Sequence, residues 1–385
     1  MKPAICTLAA LCAFGGMGAA AETRVADRES LVRALRTAKP GSTILLEPGK
    51  YPGGLSQAGL RGTADQPIVI AAADADDPPV IEGGASGIQL SSPEHVEWRD
   101  LVITSATANG LNIDDGGSAA APAQHVTLKN IVVRDVGPRG NRDGIKLSGV
   151  AHFRIEGCRI ERWGSGGSAI DMVGCRAGVI TGCTFKDAGG DMANGVQTKG
   201  GSSEIVVQRC RFENFGGRGV NIGGNTGLPF FRPKDAPFEA QAITVEDCEF
   251  LGGQAAIAFV GVDGAIVRHN TIYRPRRWPV RILQENQDPR FVPSRRGKFE
   301  HNIIVFRADE VRESINIGSH TAPDTFQFAS NVWYCLDRPA DTQRLVRLPT
   351  RESNGAYGIE PGLEDPENGN LTVRDGKHGQ AGVRP

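Results

Sequence analysis

Two cations in glycine-rich surroundings carry the strongest chemical signal in this chain. Lys199 lies in Gln197-Thr198-Lys199-Gly200-Gly201, and Arg218 opens Gly219-Val220-Asn221-Ile222-Gly223-Gly224. Glycines clear space beside a side chain. A lysine whose proton is loosened by neighbouring cations can act as a base, and an arginine can hold a carboxylate through two parallel hydrogen bonds. Lys146, Asp171, Gln197 and Asn221 occupy one recurring position of a repeat around these two residues, and Arg281 continues the series. Arg232 and Tyr273 complete the set expected to contact a ligand. Arg274 to Lys298 forms a second basic cluster, eight cations against Glu285 and Asp288, with Trp278 and Phe291 among them. Clustered arginine favours carboxylate, sulfate or phosphate ligands, and aromatic rings can stack on sugars.

A competing chemistry needs two carboxylates roughly 5–9 Å apart, as in glycoside hydrolysis. Asp171 and Asp143 are the candidates, and this pair is thinner than the cationic set. A proton donor would be Arg218, Tyr273 or a histidine. His269 and His301 directly precede Asn270 and Asn302, which allows an outward or a turn position.

The elements that must position these residues recur along the chain. One motif reads small, apolar, polar, apolar: Gly87-Ile88-Gln89-Leu90, Gly110-Leu111-Asn112-Ile113, Gly144-Ile145-Lys146-Leu147, Ala169-Ile170-Asp171-Met172, Gly195-Val196-Gln197-Thr198 and Gly219-Val220-Asn221-Ile222. Copies continue at Ala256, Pro279 and Ser314, spaced by 23 to 37 residues. A second motif lies between them, from Asp100-Leu101-Val102 through Cys183-Thr184-Phe185 to Asn331-Val332-Trp333. Two alternating patterns per repeat, stacked many times, predict an all-β, single-stranded right-handed parallel β-helix of about ten rungs. Val196 and Thr198 then point inward while Gln197 and Lys199 point outward. The outward column runs Gln89, Asn112, Lys146, Asp171, Gln197, Asn221, Ala258, Arg281, Asn316, rich in amides.

The cysteines follow the same register. Cys158, Cys183, Cys210 and Cys248 share one rung position, continued by Asn270, Asn302 and Asn331, which predicts an inward thiol column and an amide ladder. No CxxC pair accompanies them, so a metal centre is not expected. Asp27 is placed to cap a helix from Arg28 to Ala38 that closes one end of the core. Residues 1–21, with Lys2, an apolar run and Ala19-Ala20-Ala21, read as a cleaved leader. Residues 22–335 form the solenoid, and 336–385 a tail packed on its far end. No later stretch reaches the roughly 20 apolar residues of a membrane helix. The formal net charge of −1 and the leader argue against nucleic acid as partner. A secreted or periplasmic monomer is expected.

Pro40-Gly41-Ser42-Thr43-Ile44 with Gly49-Lys50-Tyr51, then Gly62-Thr63-Ala64-Asp65-Gln66-Pro67-Ile68, then Lys199 followed one rung later by Arg218, resemble the β-helix polysaccharide lyases of the chondroitinase B and alginate lyase group. The repeat also resembles uncharacterised β-helix proteins. The lyase resemblance implies Lys199 as base, Arg218 as acid, and an acidic, uronate-containing polysaccharide as substrate. Calcium-binding members place acidic side chains just before the lysine. Gly195 and Gln197 stand there in this chain, so no cofactor is expected. A β-helix glycoside hydrolase, a uronate epimerase and a non-catalytic polysaccharide-binding protein are the alternative readings.

Overall fold

Each repeat folds as three short strands, because alternation buries every second side chain and left-handed residues turn the corners. The computed structural model describes residues 22–118, 120–188, 190–374 and 381–384. The leader-like segment 1–21 lies outside them. Three parallel sheets of thirteen, twelve and ten strands run the length of the molecule and are called I, II and III here. A representative rung is Ser202–Gln208 in sheet I, Arg211–Glu213 in sheet II and Arg218–Gly223 in sheet III. The chain is a right-handed parallel β-helix, as its repeats predict.

Sequence periodicity predicts two strands per rung, and the structure has three. The missed strands are those of sheet I. In several of them one residue takes a left-handed conformation, such as Glu204 (φ 57°) and Ala242 (φ 52°), which breaks the two-residue alternation. The first position of the outward motif must be small for a simple reason. A Cβ on Gly195 would stand 2.4 Å from the Gly219 carbonyl oxygen and 2.7 Å from the Phe212 ring.

The core is a set of columns. Phe185, Phe212 and Phe250 stack with ring centroids 4.8 and 4.7 Å apart. Cys158, Cys183, Cys210 and Cys248 are buried free thiols in the expected column, and burial raises the Cys210 thiol far above its usual range. The column continues as a fully buried amide ladder. Asn270 Nδ2 donates to Asn302 Oδ1 at 2.9 Å, and Asn302 Nδ2 to Asn331 Oδ1 at 3.0 Å.

Both ends are closed. The helix Arg28–Thr37 carries a reciprocal cap between Asp27 and Ser30 and buries Leu31, Ala34 and Leu35 over the first rung. At the other end Glu352 accepts from Asn331 Nδ2 (2.6 Å) and Trp333 Nε1 (3.1 Å), ending the ladder. The tail differs from a simple end cap. It turns back over sheet II, where Gly369 O accepts from Arg211 and Arg384 pairs with Asp247 at 2.6 Å. Its apolar side chains, Leu371 among them, pack with Ile303 and Val305 on that sheet's outer face. No helix among the described residues is long and apolar enough to cross a membrane.

Candidate functional site

The outward face of sheet III gathers most of the candidate residues. Strand register aligns Lys146 with Asp171, Asp171 with Gln197, Gln197 with Asn221, Asn221 with Ala258, and Ala258 with Arg281. Successive members are one strand spacing apart, about 4.8 Å. The upstream part of this column is tied to itself. Asn112 Nδ2 donates to Gln89 Oε1 and Gln89 Nε2 to Asp114 Oδ2, both at 2.7 Å.

Asp171 is 1% exposed and serves two lysines. Lys199 Nζ lies 3.0 Å from Oδ1, an ion pair without hydrogen-bond alignment, and Lys146 Nζ contacts Oδ2. Lys146 also reaches Asp143 Oδ2 at 3.2 Å, while Asp143 Oδ1 accepts the Ser168 amide at 2.8 Å. Burial alone would raise the Asp171 pKa, but the Lys199 and Lys146 charges outweigh it and hold it low. Burial and the Asp171 charge push Asp143 up. Burial opposes the charge of Lys146, yet Asp171 and Asp143 hold its pKa high.

This geometry corrects two expectations. Asp171 is a buried bridge whose oxygens face two lysines, and it presents almost no surface to a ligand. Asp143, equally buried, offers no exposed partner, so the pair expected for hydrolysis is not presented to solvent. The neighbours of Lys199 also differ from the bare cations anticipated, since a carboxylate separates it from Lys146.

Arg218 lies on the next rung but at the opposite strand end. Val196 faces Val220, so Lys199 and Arg218 are offset by five residues, roughly 16 Å along the strands. Both side chains fold back toward the central column, Lys199 to Asp171 and Arg218 to Asn221 Oδ1 at 2.9 Å. They bracket Gln197 and Asn221 from the two strand ends. Arg218 suits carboxylate binding.

A cavity of about 350 Å³ opens here, lined by Gln197, Asn194, Arg218, Asn221, Asn225, Gln254, Arg281 and Glu285, with Met192 exposed at its rim. Arg281 stacks on Trp278, its guanidinium carbon 4.2 Å from the ring centroid, and its Nε donates to Asn316 Oδ1 at 2.9 Å. Burial, then the nearby Arg218 charge, push Arg281 down to about 10.

Three further expectations are corrected, and for His269 and His301 the structure takes the turn position of the two that the sequence allows. Arg232 stands at the corner between sheets III and I, where Nε and Nη2 clamp the fully buried Asp115 at 2.5 and 3.0 Å. It lines a separate cavity of about 390 Å³. Tyr273 belongs to sheet II, where its buried hydroxyl donates to Glu367 Oε1 at 2.6 Å. His269 and His301 are corner residues with φ 56° and rings stacked at 5.1 Å. The Arg274–Lys298 cluster is one in sequence only: Arg274 pairs with Glu310, Arg276 with Asp191, and Arg295 and Arg296 with Asp263.

Two residues were missed. Glu239, wholly buried, accepts from the amides of Gly200 and Thr226 at 2.8 Å each and from Asn286 Nδ2 at 3.2 Å. It fastens the insertion that follows Gly223 beside Lys199. The 37-residue gap between Val220 and Ile257 marks that insertion in the sequence. Glu285 enters the cavity from beyond the strand Trp278–Leu283. Among the described residues no cluster of three or more His, Cys, Asp or Glu could hold a metal ion.

The fold class stands, and the comparisons fill it in. Residues 109–277 match the family model described as "Right handed beta helix region". No curated protein matches the chain in sequence. Among solved structures, the alginate lyase of Paenibacillus sp. strain FPU-7 superposes with a TM-score of 0.52 and 19% identity, covering 78% of this chain and 98% of that one. The GH136 lacto-N-biosidase of Eubacterium ramulus gives 0.59 and 13%, covering 86% and 64%. The A-module of the mannuronan C-5 epimerase of Azotobacter vinelandii gives 0.50 and 14%, covering 89% and 98%. These names span three chemistries on one architecture, so the site must decide between them.

Proposed function

We propose that the chain is a polysaccharide lyase that cleaves a uronate-containing polymer by β-elimination, exported by its leader. One observation carries this reading: the column on sheet III brings Arg281 and the amides of Gln197 and Asn221 to a cleft with Arg218, while the column's own carboxylate, Asp171, and the neighbouring Asp143 are buried against lysines. Arg218 and Arg281 would hold the carboxylate, stabilising the charge that builds up when the C5 proton leaves. Gln197 and Asn221 would hold hydroxyls, and Lys199 would take that proton in its neutral form, after substrate binding draws it off the Asp171 carboxylate that it pairs with in the empty site. The solved alginate lyase supports the reading through its architecture. The polymer would run along the solenoid axis, across successive rungs.

The test is incubation with alginate, pectate and glycosaminoglycans while ultraviolet absorbance of unsaturated products is followed. Absorbance with one polymer, reduced about 10²–10⁴-fold in Lys199→Ala, is expected for loss of a proton-transfer group. New reducing ends without absorbance would replace the lyase by a hydrolase. Solvent deuterium entering C5 without chain cleavage would replace it by an epimerase.

A further inference from the structure

Arg218 already holds a carboxylate. Its Nη2 lies 2.5 Å from Glu285 Oε1, contributed from 67 residues further along the chain, while Nη1 is taken by Asn221. Arg281 lines the same cavity, is half-buried, and makes no ion pair among the described residues; its guanidinium donates to the Asn316 amide oxygen. The charge of Glu285 acts on it as well, opposing the repulsion from Arg218. The cavity's other carboxylate, Asp191, pairs with Arg276, so Glu285 is the carboxylate left to Arg218 and Arg281, with Glu313 acting on Arg281 from further off. Two guanidiniums around one displaceable carboxylate, in a concave and partly desolvated place, suit an anion seat.

The backbone beside Glu285 is fixed. Asn286 Nδ2 donates to Thr226 O at 3.0 Å and to the buried Glu239. The Glu285 side chain is about one-third exposed. That exposure leaves room toward solvent for its release from Arg218.

Resting on the lyase reading, we propose that Glu285 is a built-in stand-in for the substrate's carboxylate and sets specificity for polyanionic chains. It fills the Arg218 seat when the cleft is empty and yields it to a uronate carboxylate. A tethered carboxylate competes at high effective concentration, so a lone small anion displaces it poorly. An oligouronate brings additional contacts along the column and wins. Glu285 thus filters out monomeric acids and inorganic anions. If it holds the seat nine-tenths of the time, the apparent affinity of a competing ligand falls about tenfold.

Calorimetric titration of wild type, E285Q and E285D tests this, with hexasaccharides of alginate, polygalacturonate and chondroitin as one set of probes and sodium sulfate as another. E285Q should bind the preferred acidic hexasaccharide about tenfold more tightly than wild type, and should bind sulfate where wild type does not. E285D, one methylene shorter, should fall between them. Unchanged or weaker binding of both probes by a folded E285Q overturns the proposal. If neither protein binds any hexasaccharide, sulfate binding by E285Q alone keeps the stand-in and removes the polysaccharide reading. Sulfate binding by neither removes the stand-in.

Discussion

Lys199 Nζ and Asp171 Oδ1 lie 3.0 Å apart on adjacent rungs, and Asp171 holds Lys146 on its other oxygen. One buried carboxylate thereby spaces two ammonium groups that would otherwise repel. Asp171→Asn removes the negative charge and leaves both lysines uncompensated. Breaking a buried pair from one side costs about 3–5 kcal/mol. The variant should unfold at clearly lower urea concentration at pH 7. The Asp171 pKa is depressed in the fold, so the wild-type advantage is full above the unfolded carboxylate range and fades as pH falls through the folded value. Urea midpoints of the two proteins should converge as pH falls below the ordinary carboxylate range. A constant gap would mean that the charge is not the cause.

Asp143 carries the opposite sign. Burial and Asp171 raise its pKa, so the fold favours its neutral form. Its contribution is present at low pH and declines as pH rises through the raised folded value. Asp143→Asn mimics the neutral form. Its stability relative to wild type should improve steadily with rising pH, read from urea midpoints between pH 4 and 8. A relative loss with rising pH would show that the ion pair with Lys146 dominates instead.

The pairing of Arg232 with Asp115 predicts a contribution to stability. Arg232 neutralises Asp115, which is 1% exposed, and lies outside the cleft that holds Arg218. Arg232→Ala should cost about 3–5 kcal/mol by leaving that charge unpaired. Affinity of the folded fraction for an acidic oligosaccharide should stay within a factor of two of wild type. A large loss of affinity at unchanged stability would return Arg232 to the site.

The contrast between Arg232 and Arg218 shows what the sequence could convey. Periodicity located the columns, because a two-residue alternation and a small first residue are imposed by stacking itself. It therefore placed Lys146, Asp171, Gln197, Asn221 and Arg281 on one face. The same alignment already sets Lys199 two residues after Gln197 and Arg218 three before Asn221, an offset of roughly 16 Å along the strands, but periodicity says nothing about where the side chains turn, toward Asp171 and Asn221. It is equally silent on burial of an outward column beneath insertions. Asp171 looked available to a ligand for that reason, Glu239 was invisible because it lies in a segment with no repeat, and Glu285 was legible only as a counter-charge of the basic cluster, not as a neighbour of Arg218. Arg232 and Tyr273 also lay off the outward motif, and their partners, Asp115 and Glu367, are 117 and 94 residues away.

The amide ladder offers the sharpest test of the columns. Asn302 is fully buried and uses its whole side chain. Its Nδ2 donates to Val267 O and Asn331 Oδ1, each at 3.0 Å, and its Oδ1 accepts from the Asn270 amide at 3.0 Å and Asn270 Nδ2 at 2.9 Å. Replacing it by alanine removes four hydrogen bonds at once and leaves the Asn270 backbone amide without its acceptor, while Asn270 Nδ2 keeps Val245 O and Arg268 O and Asn331 Oδ1 keeps the Asn302 amide. A lost hydrogen bond costs about 1 kcal/mol and an unsatisfied buried group about 1–3 kcal/mol, so Asn302→Ala should cost at least about 3 kcal/mol. Cys210→Ala in the same register loses only a small apolar group beside weak sulfur contacts, for about 1–2 kcal/mol. Equilibrium urea unfolding should rank Asn302→Ala well below Cys210→Ala. Equal losses would mean that the ladder acts by filling space, with its hydrogen bonds contributing little.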